Sequence, residues 1–236
     1  MIHVNINPRR FTGFLLIVFF LFLVAHLAAV LLRYKVMPES NFVEKLDQFW
    51  NFDQEGNLPT YFNTMLLFLS AQSFLLIAFL GSHTKLYFKT YWYVLAIVFF
   101  LLSIDEFTRI HEGFNYYVPK FLGIGGSGIW KFAWIIPYGI LAILFGLYSL
   151  KFLLSLERKF QIGYVVSGAL YVMGAVGIEA IGGIIYESNS DSTSFEYIFF
   201  LLTLEESLEM LALILLLNYN LKFLLANQKG TSEKTQ

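Results

Sequence analysis

The sequence predicts an all-α, polytopic transmembrane helical bundle of about six spans, and three observations support that fold class. Apolar residues make up 57% of the 236 positions and charged residues only 14%, with 26 phenylalanines, more than the core of a soluble domain this size absorbs. The apolar residues gather in runs of about 20, the length that crosses ~30 Å of hydrocarbon at 1.5 Å per residue. Lys and Arg are divided unevenly between alternate loops, as the positive-inside rule expects of a multi-pass protein. A net charge of -1 and a pI near 6.4 leave no basic stripe, so nucleic acid is not an expected partner. With no cysteine there is neither disulfide nor thiolate chemistry, and any metal would need oxygen and imidazole ligands.

Taken in order, residues 11–32 form the first apolar run, after Arg9 and Arg10. A cleaved signal peptide would show a shorter apolar stretch and an A-x-A site, so an uncleaved helix is expected. Residues 41–51 read as a surface amphipathic helix: Asn41 can cap its start, Glu44 holds the capping-box position, and Phe42, Leu46, Phe49 and Trp50 recur near helical spacing. Further spans are predicted over 60–80, 91–112, 132–151, 163–186 and 197–220. Pro137 is expected to kink the fourth, because its ring removes a backbone hydrogen bond. Residues 1–226 thus form one transmembrane domain, and the polar residues 227–236 a disordered cytoplasmic tail. The glycines of 123–128 match G-x-G-x-x-G, but no strand precedes them and they read as a linker.

With the N-terminus inside, ten basic residues (Arg9, Arg10, Lys85, Lys89, Lys151, Arg158, Lys159, Lys222, Lys229, Lys234) face the cytoplasm and five (Arg33, Lys35, Lys45, Lys120, Lys131) face outward. That asymmetry predicts a multi-pass protein of the inner, cytoplasmic membrane with both termini cytoplasmic.

The chemistry of the chain lies in its intramembrane acids. Phe99-Phe-Leu-Leu-Ser-Ile-Asp-Glu106 recurs as Phe199-Phe-Leu-Leu-Thr-Leu-Glu-Glu206, each copy carrying two adjacent carboxylates. Asp105, Glu106, Glu112, Glu179, Glu205, Glu206 and Glu209 fall inside the expected spans, opposed by Arg109 alone. At roughly 2.5–3.5 kcal/mol per ionised acid, five unpaired ones would cost on the order of 15 kcal/mol, comparable to a whole protein's stability. They must be protonated, paired, hydrated or cation-bound, and each of these implies a polar interior site. Helical spacing puts Asp105, Arg109 and Glu112 on one face, Glu205 and Glu209 on another, and Glu179 with Gly168, Ala175 and Gly182 on a small-residue face suited to close helix approach. Counted at 1.5 Å per residue, His26, Asp105, Glu179 and Glu205 lie at roughly 22, 21, 24 and 18 Å from the cytoplasmic end, which places one site in the outer half of the bilayer. The matched motifs run antiparallel, as a 3+3 inverted repeat would arrange them, with Arg109 corresponding to Glu209 as an ion pair across the bundle.

The expected site is therefore Asp105, Glu106, His111, Glu112, Glu179, Glu205, Glu206, Glu209 and His26, with Arg109 as counter-charge. The first functional expectation is binding and translocation of a small cation or proton. The alternative is a membrane-embedded enzyme using a divalent transition metal (Fe, Mn or Zn) on a lipid-like substrate, since carboxylates with imidazoles suit those ions. Against it, the Glu-x-x-His spacing of di-iron bundles is missing. The blandest expectation is an ion-pair network that locks the helices together. His26 alone reads as a hydrogen-bonded core residue.

Overall fold

The computed structural model describes residues 6–80, 86–123, 132–188 and 197–232. It is all-helical, 89% of it in helix, with no strand among the described residues. Among the described residues nine helices follow in order: α1 (Pro8–Leu31), α2 (Asn41–Trp50), α3 (Leu58–Leu80), α4 (Leu86–Thr108), α5 (Ile110–Leu122), α6 (Ile135–Leu154), α7 (Arg158–Val172), α8 (Glu179–Ser188) and α9 (Thr203–Ser232). Wider π-type turns follow α1 over Leu32–Val36, join α7 to α8 over Met173–Ile178, and lead into α9 over Tyr197–Leu202. Among the described residues five stretches are long and apolar enough to cross a membrane: Pro8–Val36, Leu58–Leu80, Lys89–Thr108, Ile135–Leu154 and Arg158–Ile184. His3, His83, Lys85, Lys131, Trp130, Lys234, Asp191, Glu196 and most of the glycine-rich linker lie outside the described residues.

α9 is the axis of the bundle. Met210, Leu213, Ile214, Leu217, Leu221 and Leu224 recur at three and four residues and are buried, against α1, α3 and α7. In hydrocarbon this packing is held by dispersion and shape rather than by exclusion of water, so polar contacts between helices matter more. Asn220 Nδ2 donates to Ser73 Oγ (2.7 Å), tying α9 to α3, and Ser103 Oγ donates to the Thr64 carbonyl (3.1 Å), tying α4 to α3. At the other end of the molecule Trp92, Phe152, Tyr164 and Phe223 meet ring to ring and close the bundle.

Several expectations are corrected here. The third span does not reach 112: α4 stops at Thr108 and α5 begins at Ile110, because Arg109 takes a left-handed conformation (φ 57°), the one non-glycine with positive φ among the described residues. Asp105, Arg109 and Glu112 therefore do not share a helical face. Pro137 sits in the first turn of α6, where its missing N–H has no intrahelical partner to lose, so it provides no cause for a kink. Ser40 rather than Asn41 caps α2, its hydroxyl accepting from the Val43 N–H. The tail is not structureless from 227, since α9 runs to Ser232 with Asn227 Nδ2 donating to the Phe223 carbonyl. Finally, Asp105 and Glu106 end α4 whereas Glu205 and Glu206 begin α9. The two motifs share composition but not their place along a helix.

Candidate functional site

The break at Arg109 builds the first half of the site. Stopping α4 there turns the next residues back over the helix end, and Asp105 caps the new start: Oδ1 accepts from the His111 N–H (2.9 Å) and Oδ2 pairs with His111 Nδ1 (3.2 Å). The His111 ring stands edge-on to Trp134 and Tyr138 at the start of α6. Trp134 Nε1 donates to Glu179 Oε1 (3.0 Å), and its backbone N–H donates to Asn115 Oδ1 (3.1 Å). A loop, a helix end and two further helices are thereby joined through aromatic and carboxylate groups.

The second half comes from α3 and α9. Asn63 is fully buried, and its Nδ2 donates to both Glu106 Oε1 (3.1 Å) and Glu209 Oε2 (3.3 Å), holding two carboxylates side by side. Gly174 lets the turn after α7 approach α9 closely: an added Cβ there would meet the Glu205 carbonyl at 3.0 Å and Glu209 Cγ at 3.1 Å. Glu205 and Glu206, one turn earlier on α9, receive no hydrogen-bond donor among the described residues.

Above these, the loop from α2 to α3 supplies a carboxylate. Asn51 and Asn57 pin it: Asn51 Nδ2 donates to Asp47 Oδ1 (3.1 Å), Asn57 Nδ2 to the Asn51 carbonyl (2.6 Å), and Asn57 Oδ1 caps α3 by accepting from the Thr60 N–H (3.1 Å). Glu55 is then placed to meet Arg109 Nε (3.3 Å) and to share a hydrogen bond with Glu112. Burial, and then the hydrogen bond to and charge of Glu112, push Glu55 up to about 8. At His111 burial pulls downward, but the hydrogen bond to Asp105 and the charges of Asp105, Glu106 and Glu55 outweigh it and carry the ring up to about 9.

All of this opens onto one cavity of about 1260 Å³. Nine carboxylates line it: Asp53, Glu55, Asp105, Glu106, Glu112, Glu179, Glu205, Glu206 and Glu209. His111 joins them, and among the described residues neither Lys nor Arg does. Below the acids the wall turns aliphatic and aromatic through Leu95, Val98, Phe99, Leu102, Leu141 and Phe145, down to the Trp92, Phe152 and Tyr164 floor. Gly168, Ala175 and Glu179 face this space. An added Cβ on Gly168 would meet nothing within 4 Å, so the small residues at 168 and 175 widen a chamber rather than seat a helix as expected. The wide turn over 173–178 explains this, since extra residues in a turn rotate the face that a regular helix would present.

The structure thus brings Asp105, Glu106, His111, Glu112, Glu179, Glu205, Glu206 and Glu209 to one space. His26 is not among the lining residues. It is fully buried behind Phe52, stacked on that ring, with Nδ1 accepting from the Phe52 N–H (3.1 Å) and Nε2 left to donate to Thr203 Oγ1 (2.7 Å). Both nitrogens are spent on bracing the loop and the start of α9. Arg109 is not a counter-charge inside the bundle either, and does not meet Glu209. Its side chain is 54% exposed and serves Glu55 at the rim. Among the described residues no three His, Asp or Glu side chains are grouped to hold a metal ion.

The sequence does not place Glu55, Asn63, Asn115, Trp134 and Tyr138 in the site; Glu55 reads there as one acid of an outer loop and Trp134 as an interface anchor. Asn63, a carboxamide in an apolar span, carried a usable signal, because such a group in hydrocarbon needs a partner. Glu55 carried none, since its role depends on how a loop closes.

No curated protein and no solved structure matches the chain. Residues 14–223 match the family described as "Domain of unknown function (DUF8692)", and the chain belongs to that family.

Proposed function

We propose that this is a multi-pass protein of the cytoplasmic membrane that binds a cation or proton in its acidic chamber and carries it across part of the bilayer. In this reading α9 makes a sixth span, both termini are cytoplasmic, and the chamber lies in the outer half of the membrane. The ten-to-five division of Lys and Arg supports that orientation. One observation carries the functional reading: nine carboxylates from four helices and one connecting loop meet in one cavity that no Lys or Arg lines among the described residues. So many carboxylates facing a single imidazole in a low-dielectric space demand protons or a cation, and a site that must hold exchangeable positive charge is suited to moving it.

Glu179, the first residue of α8 after the wide turn, lines this space and is tethered by Trp134. In proteoliposomes loaded with a pH dye, wild-type protein should support cation-dependent proton flux. Glu179→Gln should lower that flux at least tenfold while eluting as the same monodisperse species in detergent. Wild-type flux in the variant removes Glu179 from the pathway, and no flux in wild type with any of sodium, potassium, manganese or ammonium overturns the reading.

A further inference from the structure

We infer that the cation taken by the acidic chamber is the head of an amphiphile, a protonated primary amine carrying one long alkyl chain that fills the lower part of the same cavity. The inference rests on the proposed cation site and names its substrate class.

Size is the first argument. At ~30 Å³ per water, 1260 Å³ is room for roughly 40 waters, far beyond what a proton or a metal ion needs. Protein interiors are otherwise close-packed, with few voids larger than a water molecule. Wall chemistry is the second. Between the acids and the floor the lining is Leu95, Val98, Phe99, Leu102, Leu141 and Phe145, and apolar space of this kind excludes water and takes up apolar guests instead. Asp105 and Trp92 are 13 residues apart on α4, so the chamber is roughly 20 Å deep, the proportion of an extended alkyl chain rather than of a compact ion.

The position of α6 is the third argument. Its residues 141, 142, 145, 146, 149, 152 and 153 border the cavity, and it packs on α4 and α7 while facing α9 across the open space. Gly146 on α6 and Gly168 on α7 both line the cavity, and a Cβ on either would meet nothing within 4 Å. Small residues on two of its lining helices keep the bore of an apolar chamber open. Head chemistry follows from charge: a phosphate or carboxylate head would meet nine carboxylates, whereas an ammonium donates three hydrogen bonds to acceptors that lack donors, Glu205 and Glu206 among them.

The test uses full-length protein in phosphatidylcholine nanodiscs, with tritiated hexadecylamine, hexadecanol and hexadecanoate as probes and empty discs as the partition control. Hexadecylamine should bind saturably, at least tenfold more tightly than the alcohol or the acid. Gly168→Phe, which fills the chamber below the acids, should lose that binding at least tenfold while retaining proton flux driven by inorganic cations. Gly146→Phe provides a second variant should the first fail to fold. Saturable binding absent in a wild type that still conducts inorganic cations overturns the inference and leaves the cation site standing. Equal affinity for hexadecanol, or undiminished hexadecylamine binding in both folded variants, also overturns it. Loss of both binding and flux in wild type overturns the cation site itself.

Discussion

The two near-copies of one motif end in opposite circumstances, and the contrast separates scaffold from working groups. In Phe99–Glu106 both acids are committed: Asp105 caps α5 and holds His111, and Glu106 accepts from Asn63. In Phe199–Glu206 neither acid receives a donor among the described residues, although both line the same cavity. A carboxylate whose lone pairs are filled by protein donors shapes a site. One whose lone pairs are empty can take a ligand. Sequence identity between the copies says nothing of this, because it depends on where each helix stops.

The largest expected effect tests the committed copy. Asp105→Ala removes an acceptor from a backbone N–H and an imidazole together, and should cost about 2–3 kcal/mol in denaturant unfolding, with α5 losing protection in hydrogen exchange. Glu205→Gln, by contrast, should change stability by less than about 1 kcal/mol, since no donor is orphaned. Equal losses in the two variants would erase the distinction.

A smaller effect sharpens the account of the second copy. Its backbone is held against the turn after α7 by the absence of a Cβ at Gly174. Gly174→Ala should push α9 outward, destabilise by about 1–2 kcal/mol and weaken cation binding; unaltered binding and melting would mean that the turn does not set the position of Glu205.

The last effect is a pH dependence at two groups that surround the end of the first copy, Glu55 in the loop before α3 and His111 on Asp105. Glu55 (4.5 raised to about 8) and His111 (6.5 raised to about 9) hold protons more tightly folded than unfolded. Their contribution is complete below the unfolded values and is lost as pH rises through the folded ones, so both act between about pH 6.5 and 8 and stability should fall there. The melting temperature of wild type should drop between pH 6 and 9, and Glu55→Gln should flatten the lower half of that drop. A flat wild-type profile would mean that neither group is tied to the fold as described.

Much of the fold was legible because lipid imposes simple rules. Apolar length locates spans, and acids in hydrocarbon must be explained, which led directly to Asp105, Glu106, Glu179, Glu205, Glu206 and Glu209. What escaped were features decided by tertiary contact. Nothing beside Arg109 signals a left-handed residue, since neither glycine nor asparagine stands there. Its conformation is imposed by Asp105 capping the next helix and by Glu55 waiting at the rim. Counting along the helix assigns His26 a level, but level does not say which way a ring faces, and its two nitrogens go to Phe52 and Thr203. The face bearing Gly168 and Ala175 reads as a packing stripe only in a regular helix, and the wide turn at 173–178 is not written in any local residue preference.

The most direct measurement of the central claim is proton release on cation addition, followed with a pH indicator in weakly buffered, detergent-purified protein. Wild type should release protons saturably as the cation enters the chamber, and a Glu205→Gln, Glu206→Gln double variant with unchanged melting temperature should release none. Identical release from the variant, or none from wild type with sodium, potassium, manganese or ammonium, would contradict the assignment of exchangeable positive charge to this site.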